Sequence, residues 1–242
     1  MKKHQTPNTK HQTLNTKHQI LIKMSETKKI TSPPSIMAPA GNKAAFLAAV
    51  AAGADAIYCG LKLFSARMEA KNFSPEELQP LVELAHARGI RVHVTLNSLL
   101  KPGDLDVAGK FIKELAHRVR PDGLIIQDLA AIPLVRQAGF SGEIHLSTLA
   151  NVGFAKALML VGHKLRVDRV VLPRELTIDE IKTVAQASPP DLKLEVFIHG
   201  ALCYGVSGRC YWSSYLGGKS GLRGRCVQPC RRIYHQNGRS HR

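Results

Sequence analysis

Four cysteines toward the C-terminal end of the chain point most directly to chemistry. Cys203, Cys210, Cys226 and Cys230 lie within 28 residues, with the spacing C-x6-C-x15-C-x3-C. Thiolates bind soft and borderline metals, so these residues could hold structural zinc or an iron–sulfur cluster. Zinc sites usually contain two close cysteine pairs. Because only Cys226 and Cys230 are close, the spacing favours a cluster, with zinc as the alternative.

Basic and aromatic residues surround these cysteines. The basic residues are Arg209, Lys219, Arg223, Arg225, Arg231 and Arg232. The aromatic residues are Tyr204, Tyr211, Trp212, Tyr215 and Tyr234. Since cations contact phosphates and aromatic rings stack on bases, this composition predicts an RNA-binding surface made by the six cations. The alternative is that the rings pack around a metal and the cations are solvated.

The net charge of +16 is concentrated at the two ends of the chain. Residues 1–29 carry +6 and residues 201–242 carry +8, which leaves residues 30–200 nearly neutral. A strongly basic terminal segment is compatible with a polyanion such as nucleic acid.

The first 29 residues predict a disordered, basic, low-complexity tail. Residues 3–19 repeat every seven residues around Lys-His-Gln-Thr, without the apolar seam of a coiled coil. Nothing in the chain approaches the length of a membrane span or of a signal-peptide core. We therefore expect a cytoplasmic protein without a membrane partner. In that reducing compartment, five cysteines suggest metal binding or catalysis rather than disulfides.

Residues 30–200 alternate short apolar runs with longer segments of helical period, as repeated βα units do. The predicted strands are Ser35–Ala38, Ala56–Cys59, Arg91–Leu96, Leu124–Gln127, Glu143–Ser147, Arg169–Leu172 and Leu194–Ile198. Seven such units predict an α/β fold, a TIM-type (β/α) barrel that lacks its last unit, with a Cys-rich loop after strand 7. An open doubly wound sheet is the rival architecture.

Helix signals lie between these strands. Ser74 followed by Pro75 predicts a helix start, and Gly89 predicts the end of that helix. Thr177 and Glu180 have the spacing of a capping box. Cys59, at the end of the second strand, is expected to be a small core residue rather than a fifth ligand. In a barrel of this kind, functional residues lie in the loops that follow the strands.

Several motifs resemble those of the peptidase U32 family, historically called collagenase-like. The most specific are HGALC at 199–203, SGRC at 207–210 and RGRCVQPCR at 223–231. APAGN at 38–42 and GADAIY at 53–58 support them. The resemblance extends from about residue 36 to residue 234.

This resemblance implies a barrel with a [4Fe–4S] cluster on the four clustered cysteines. It also implies oxygen-independent hydroxylation of an RNA base, an rRNA cytidine or a tRNA uridine, with prephenate as the oxygen source. Arg67, Asn97, Arg174 and His199 are the substrate-binding residues that the resemblance suggests, and most of them follow predicted strands.

The family name also raises proteolysis. The chain has neither a Gly-x-Ser-x-Gly nor a His-Glu-x-x-His motif. A Cys–His pair of Cys203 and His199 keeps a U32 peptidase as the alternative function. A third hypothesis is a non-enzymatic RNA-binding protein that zinc stabilises.

Family members continue beyond the last cysteine into an eighth strand. No strand is predicted after Cys230 in this chain, so we expect residues 201–242 to be a truncated metal-binding segment. An incomplete barrel exposes its edge strands, which suggests a protein partner that completes it.

Overall fold

The fold is a seven-stranded parallel β-sheet whose strands alternate with helices along the chain. The computed structural model describes residues 33–200, 203–236 and 239–241. The predicted tail at 1–29 therefore lies outside the described residues. The strands are ordered β1 to β7 as in the sequence, and every pair is parallel. This order confirms the TIM-type barrel with seven units and excludes the doubly wound sheet, in which the strand order reverses.

All seven predicted strands are present, with shifts of a few residues at their ends. The strands are β1 (Met37–Ala40), β2 (Ala56–Gly60), β3 (Arg91–Leu96), β4 (Gly123–Ile126), β5 (Glu143–Leu146), β6 (Arg169–Val171) and β7 (Lys193–Glu195). The largest difference is at β7, which ends three residues earlier than predicted. Its last partner on β6 is Val171, the end of that strand, so the apolar residues 196–198 have no neighbour to pair with and are exposed.

Six helices separate and follow these strands. They are α1 (Lys43–Ala51), α2 (Pro75–His86), α3 (Leu105–Glu114), α4 (Ala131–Gln137), α5 (Ala155–His163) and α6 (Ile178–Gln186). The predicted helix starts are confirmed at α2 and α6, where Ser74 and Thr177 form capping boxes with Glu77 and Glu180. In each, the cap hydroxyl accepts from the glutamate amide and the glutamate carboxylate accepts from the cap amide.

The strands present an apolar face to the helices and a polar face to the barrel interior. On β3, the helix-facing residues Val92, Val94 and Leu96 are buried in the main core. The inward-facing side chains of several strands are polar: Arg91, His93, Thr95, Glu143, His145, Arg169 and Glu195. The period of two along each strand thus separates a hydrophobic layer from an interior rich in titratable groups.

The Cys-rich segment docks on the loops that follow β2 and β3. The Met68 amide donates to the Gly224 carbonyl at 2.9 Å, and the Leu99 amide donates to the Leu222 carbonyl at 2.9 Å. Arg67 and Arg225 form an isolated antiparallel bridge. The backbone of residues 222–225 therefore lies across the carboxyl-terminal end of the sheet, which we call the barrel mouth.

Side chains extend this docking contact around the mouth. The Arg223 guanidinium donates to the Leu99 carbonyl at 3.2 Å and to the Asp104 carboxylate at 2.9 Å. After β6, the Glu175 carboxylate accepts from the amide and the hydroxyl of Ser207. The segment is thus held both at the β2–β3 side and at the β6 side.

Strands do follow Cys230, so the prediction that none would was wrong. β8 (Tyr234–Gln236) and β9 (Arg239–His241) pair antiparallel as a separate two-stranded sheet. The sequences of β8 and β9 are polar and lack the alternation of apolar and polar residues that predicts a strand. The Asn-Gly dipeptide at 237–238 is a hairpin signal that could have revealed them.

Replacing Gly224 with alanine tests the docking of the segment. Gly224 has a φ of 75°, and an added Cβ would lie 2.1 Å from the Ser65 carbonyl oxygen. We expect Gly224→Ala to release the segment, so that the Met68 and Leu99 amides exchange hydrogen about tenfold faster or more.

Gly218→Ala is the matched control. Gly218 has a similar φ of 63°, but nothing lies within 4 Å of an added Cβ. Both variants carry the backbone cost of a left-handed alanine, about 1–2 kcal/mol, and only Gly224→Ala adds the clash. Equal exchange at the two amides in both variants would contradict the docking.

Candidate functional site

The four clustered cysteines lie on loops and short helices of the docked segment. Cys210 precedes α7 (Trp212–Gly217), Cys226 follows a 3-10 turn, and Cys230 lies within another. All four are free thiols; Cys203 and Cys226 are exposed, and the other two are partly buried. Four free thiols on one wrapped segment are a suitable donor set for a soft metal centre.

Two small residues shape the backbone around these thiols. A Cβ on Gly205 would lie 2.9 Å from the Cys210 Sγ, so the glycine allows the chain to pass directly against that sulfur. The buried Ser213 hydroxyl donates to the Arg225 carbonyl at 3.3 Å and accepts from the Val227 amide at 3.0 Å. Ser213 therefore fixes the backbone on both sides of Cys226.

The spacing of the sulfurs bears on which metal group they fit. No three of the four lie within 4.8 Å of one another. A single zinc ion with Zn–S bonds of about 2.3 Å requires a tighter tetrahedron. In a cubane cluster each thiolate binds a different iron, which holds the sulfurs further apart. In this structure the four thiols are therefore not gathered around the position of a single ion.

Three of the four substrate-binding candidates meet at the mouth. Arg67 pairs through its backbone with Arg225, the neighbour of Cys226. The Asn97 side chain accepts from the Ala66 amide at 2.8 Å and so positions the loop that carries Arg67. Arg174 follows β6, with its guanidinium 5.8 Å from the centre of the Phe197 ring.

Tyr58 and Glu195 join this group, although sequence reasoning missed both. Burial raises the pKa of the Tyr58 phenol, Arg67 and Arg174 oppose the shift, and Glu195 adds to it. The phenol therefore lies within the electrostatic reach of both guanidinium groups. Two cations within electrostatic reach of a hydroxyl donor are a charge arrangement suited to a carboxylate. The sequence signal that could have identified them is the period of two along a strand, which places Tyr58 on β2 and Glu195 on β7 at inward-facing positions.

His199 is placed differently. It is exposed on the stretch after β7, and in the described residues no hydrogen bond joins it to Arg67, Asn97 or Arg174. Cys203 and His199 are both described, and no hydrogen bond connects them either; the Cys203 thiol instead donates to the Gly205 carbonyl at 3.8 Å. Among the described residues, no hydrogen bond therefore supports the Cys–His pair that the peptidase alternative requires.

The predicted RNA-binding cations differ in their surroundings. Arg209, Arg225, Arg231 and Arg232 have exposed side chains. Lys219 is exposed beside Glu69, with the charged atoms 3.3 Å apart. Arg223 holds the docking contact. Its guanidinium is therefore already occupied by protein groups.

The aromatic residues of the segment are exposed rather than packed around the thiols. Tyr204, Tyr211 and Trp212 are more than half exposed, and Tyr215 is 87% exposed. Of the two interpretations left open by the sequence, this favours rings that are available for stacking.

Cys59 is a core residue, as expected. It is buried on the helix-facing side of β2, and burial raises the pKa of its thiol to about 12.

Between the docked segment and the loop after β2 lies a cleft of about 400 Å³, bordered by Phe64, Met68 and Arg225. In the described part of the chain, no helix has the length and apolar character to cross a membrane.

Three named relatives are similar to this chain. It is 39% identical over 202 residues to the 23S rRNA 5-hydroxycytidine C2501 synthase of Escherichia coli, covering 82% of this chain and 29% of that protein. It is 36% identical over 203 residues to the Escherichia coli tRNA hydroxylation protein P, covering 83% and 44%. A collagenase of Porphyromonas gingivalis is 34% identical over 209 residues, covering 82% and 49%. The chain spans half or less of each relative.

A solved U32 peptidase, Mk0906, shares the fold, with a TM-score of 0.55 at 14% identity over 70% of this chain and 72% of that one. The family model of peptidase family U32 matches residues 41–241, which include strands β2 to β7 and the docked cysteines. The chain belongs to peptidase family U32.

Proposed function

We propose that this chain holds a [4Fe–4S] cluster on Cys203, Cys210, Cys226 and Cys230 and acts in oxygen-independent hydroxylation of an RNA base. The base is an rRNA cytidine or a tRNA uridine, and prephenate is the oxygen source. The names of two relatives, an rRNA hydroxycytidine synthase and a tRNA hydroxylation protein, support this choice over proteolysis.

One observation carries the proposal: the backbone pairing of Arg67 with Arg225. This bridge places Cys226 one residue from the wall of a cationic pocket. A metal centre on the thiols would therefore adjoin a small anion bound at the mouth. Such adjacency is required if electrons and substrate are to meet within one site.

The residues of the pocket have distinct roles in this proposal. Arg67 and Arg174 bind the carboxylates of prephenate, and the Tyr58 hydroxyl donates a hydrogen bond to the bound anion. Asn97 keeps the Arg67 loop in place. When bound, the cluster supplies electron transfer. Hydroxylation replaces a ring C–H by C–OH, which is a two-electron oxidation of the base. The co-substrate that gives up the oxygen atom therefore takes up the two electrons and is reduced.

The exposed face of the docked segment would bind the RNA. Arg209, Arg225, Arg231 and Arg232 provide cations for phosphates, and the exposed rings provide stacking surfaces. With this substrate, the protein acts in the cytoplasm. A protein partner is proposed for the sheet, since β1 and β7 form its two edges in the described part of the chain.

The iron content of anaerobically purified protein tests the cluster. We expect about four iron and four sulfide per chain, and loss of both in Cys226→Ser and Cys230→Ser. Cys59→Ala is the matched control, because that thiol is buried in the core. One zinc per chain in place of iron would contradict the cluster.

Hydroxylated nucleosides in cellular RNA test the reaction. Deleting the gene should abolish one hydroxylated pyrimidine nucleoside. Restoring the wild-type or Cys59→Ala gene should return it, whereas Cys226→Ser should not. An unchanged nucleoside profile would overturn the proposed function. Cleavage of a denatured collagen-like substrate by metal-free protein would instead favour the peptidase.

The salt dependence of RNA binding tests the proposed surface. Replacing Arg209 and Arg232 with Gln should lower the slope of log K against log salt by about 1.4, because each phosphate contact to a single strand contributes about 0.7. Lys156→Gln with Lys164→Gln removes the same charge from the outer helix layer and should leave the slope unchanged. Equal slopes in both double variants would contradict the surface.

A further inference from the structure

A second group of metal-ligating side chains lies inside the barrel, apart from the cysteines. His93 on β3 and Glu143 and His145 on β5 each offer a ligand atom, and these three atoms lie within 4.8 Å of one another. Both histidines are fully buried. Their rings lie 4.5 Å apart, centre to centre. The function proposed above uses none of the three.

A glycine on the intervening strand allows these side chains to meet. His93 is in register with Gly123 on β4, and Gly123 is in register with Glu143 on β5. A Cβ on Gly123 would lie 2.7 Å from the His93 Nδ1. The glycine is therefore required by the space that His93 occupies, which lets groups two strands apart approach across β4.

The histidines have ring nitrogens without partners. Three buried ring nitrogens have no hydrogen-bond partner. They are the Nδ1 and Nε2 of His93 and the Nδ1 of His145. A buried polar atom without a partner costs free energy, so native interiors normally satisfy it. Burial lowers the pKa of His93 to about 3 and also lowers that of His145. The three partnerless nitrogens are thus the atoms of these two rings that are open to a metal ion.

Glu143 prepares His145 for this role. Its carboxylate accepts from the His145 Nε2 at 2.7 Å and from the Lys193 ammonium at 2.7 Å. Since Nε2 carries the proton in that bond, the His145 Nδ1 is left with a bare lone pair. Carboxylates commonly orient metal-binding histidines in this way. The hydrogen bonds from His145 and Lys193 hold the pKa of the Glu143 carboxyl well below its usual range, and Arg91 lies 3.7 Å from the same carboxylate.

We propose that His93 and His145, supported by Glu143, bind a divalent transition-metal ion inside the barrel. Two imidazoles, one of them oriented by the Glu143 carboxylate, suit Zn²⁺, Fe²⁺ or Co²⁺, whereas Mg²⁺ and Ca²⁺ prefer oxygen ligands. The ion braces β3 and β5 against each other across the glycine of β4. Its role is to stabilise the sheet below the mouth, because His93 is the third of the six residues of β3 and Glu143 is the first residue of β5.

Two further charged groups lie near this site. Arg169 is in register with His145, and its Nε lies 3.9 Å from the Glu195 carboxylate. Together with Lys193 and Arg91, these groups give the surroundings both signs of charge. The carboxylates of Glu143 and Glu195 offset part of the repulsion between the cationic side chains and a bound ion.

Cobalt binding tests the site, because Co²⁺ bound by nitrogen and oxygen absorbs in the visible range and thiolate ligands add strong near-ultraviolet bands. The protein with Cys226→Ser and Cys230→Ser should retain a visible band without the thiolate bands. Adding His93→Gln or His145→Gln to that protein should weaken Co²⁺ binding about 100-fold or more, given that even supporting residues change affinity about 10–100-fold. His163→Gln, an exposed histidine on α5, should change nothing.

A visible band that survives both buried-histidine variants would overturn the site. Absence of Co²⁺ binding would overturn it as well, because water alone would then satisfy the buried nitrogens of His93 and His145. If the buried-histidine variants do not fold, the melting temperature of the protein with Cys226→Ser and Cys230→Ser tests the site instead. It should rise with Co²⁺ or Zn²⁺ and not with Mg²⁺, because an ion that binds only the folded state stabilises it. No rise would refute the proposal. Neither result depends on the iron–sulfur cluster.

Discussion

The close approach of Gly224 to the loop after β2 is the contact on which the site depends. A parallel sheet can gather polar side chains at its mouth, but it supplies no thiols there. The hydrogen bonds of Met68 and Leu99 with residues 222–224 bring the Cys-rich segment across that end. Because a side chain at residue 224 would meet the Ser65 carbonyl, only glycine permits this distance. The site thus arises from a backbone contact between distant parts of the chain.

The barrel interior places titratable groups where a hydrophobic core is usual. The apolar layer lies between strands and helices, so it stabilises the fold without filling the interior. This separation leaves the inward-facing positions available for His93, His145 and Glu143 below, and for Tyr58 and Glu195 nearer the mouth. Unpaired buried nitrogens are costly in such a setting. An ion or substrate that bound to these nitrogens would recover that cost and so couple ligand binding to the stability of the sheet.

Local signals in the sequence were sufficient for much of the fold. The capping residues Ser74 and Thr177 and the apolar runs of β2 to β6 depend on near neighbours, and they were predicted within a few residues. The early end of β7 depends on the length of β6, a tertiary property. The β8–β9 hairpin lacked an apolar pattern. The cysteines were evident from their spacing, whereas the docking role of Arg223 depends on Asp104, 119 residues away. Contacts at such separation leave no periodic pattern.

The central claim is that a metal centre on the cysteines adjoins an anion pocket at Arg67. The most direct measurement is the electron paramagnetic resonance spectrum of the reduced, anaerobically purified protein, with and without prephenate. The account predicts a cluster signal that prephenate changes in the wild-type protein and leaves unchanged in Arg67→Gln. A cluster signal that prephenate does not change in the wild-type protein would contradict this claim.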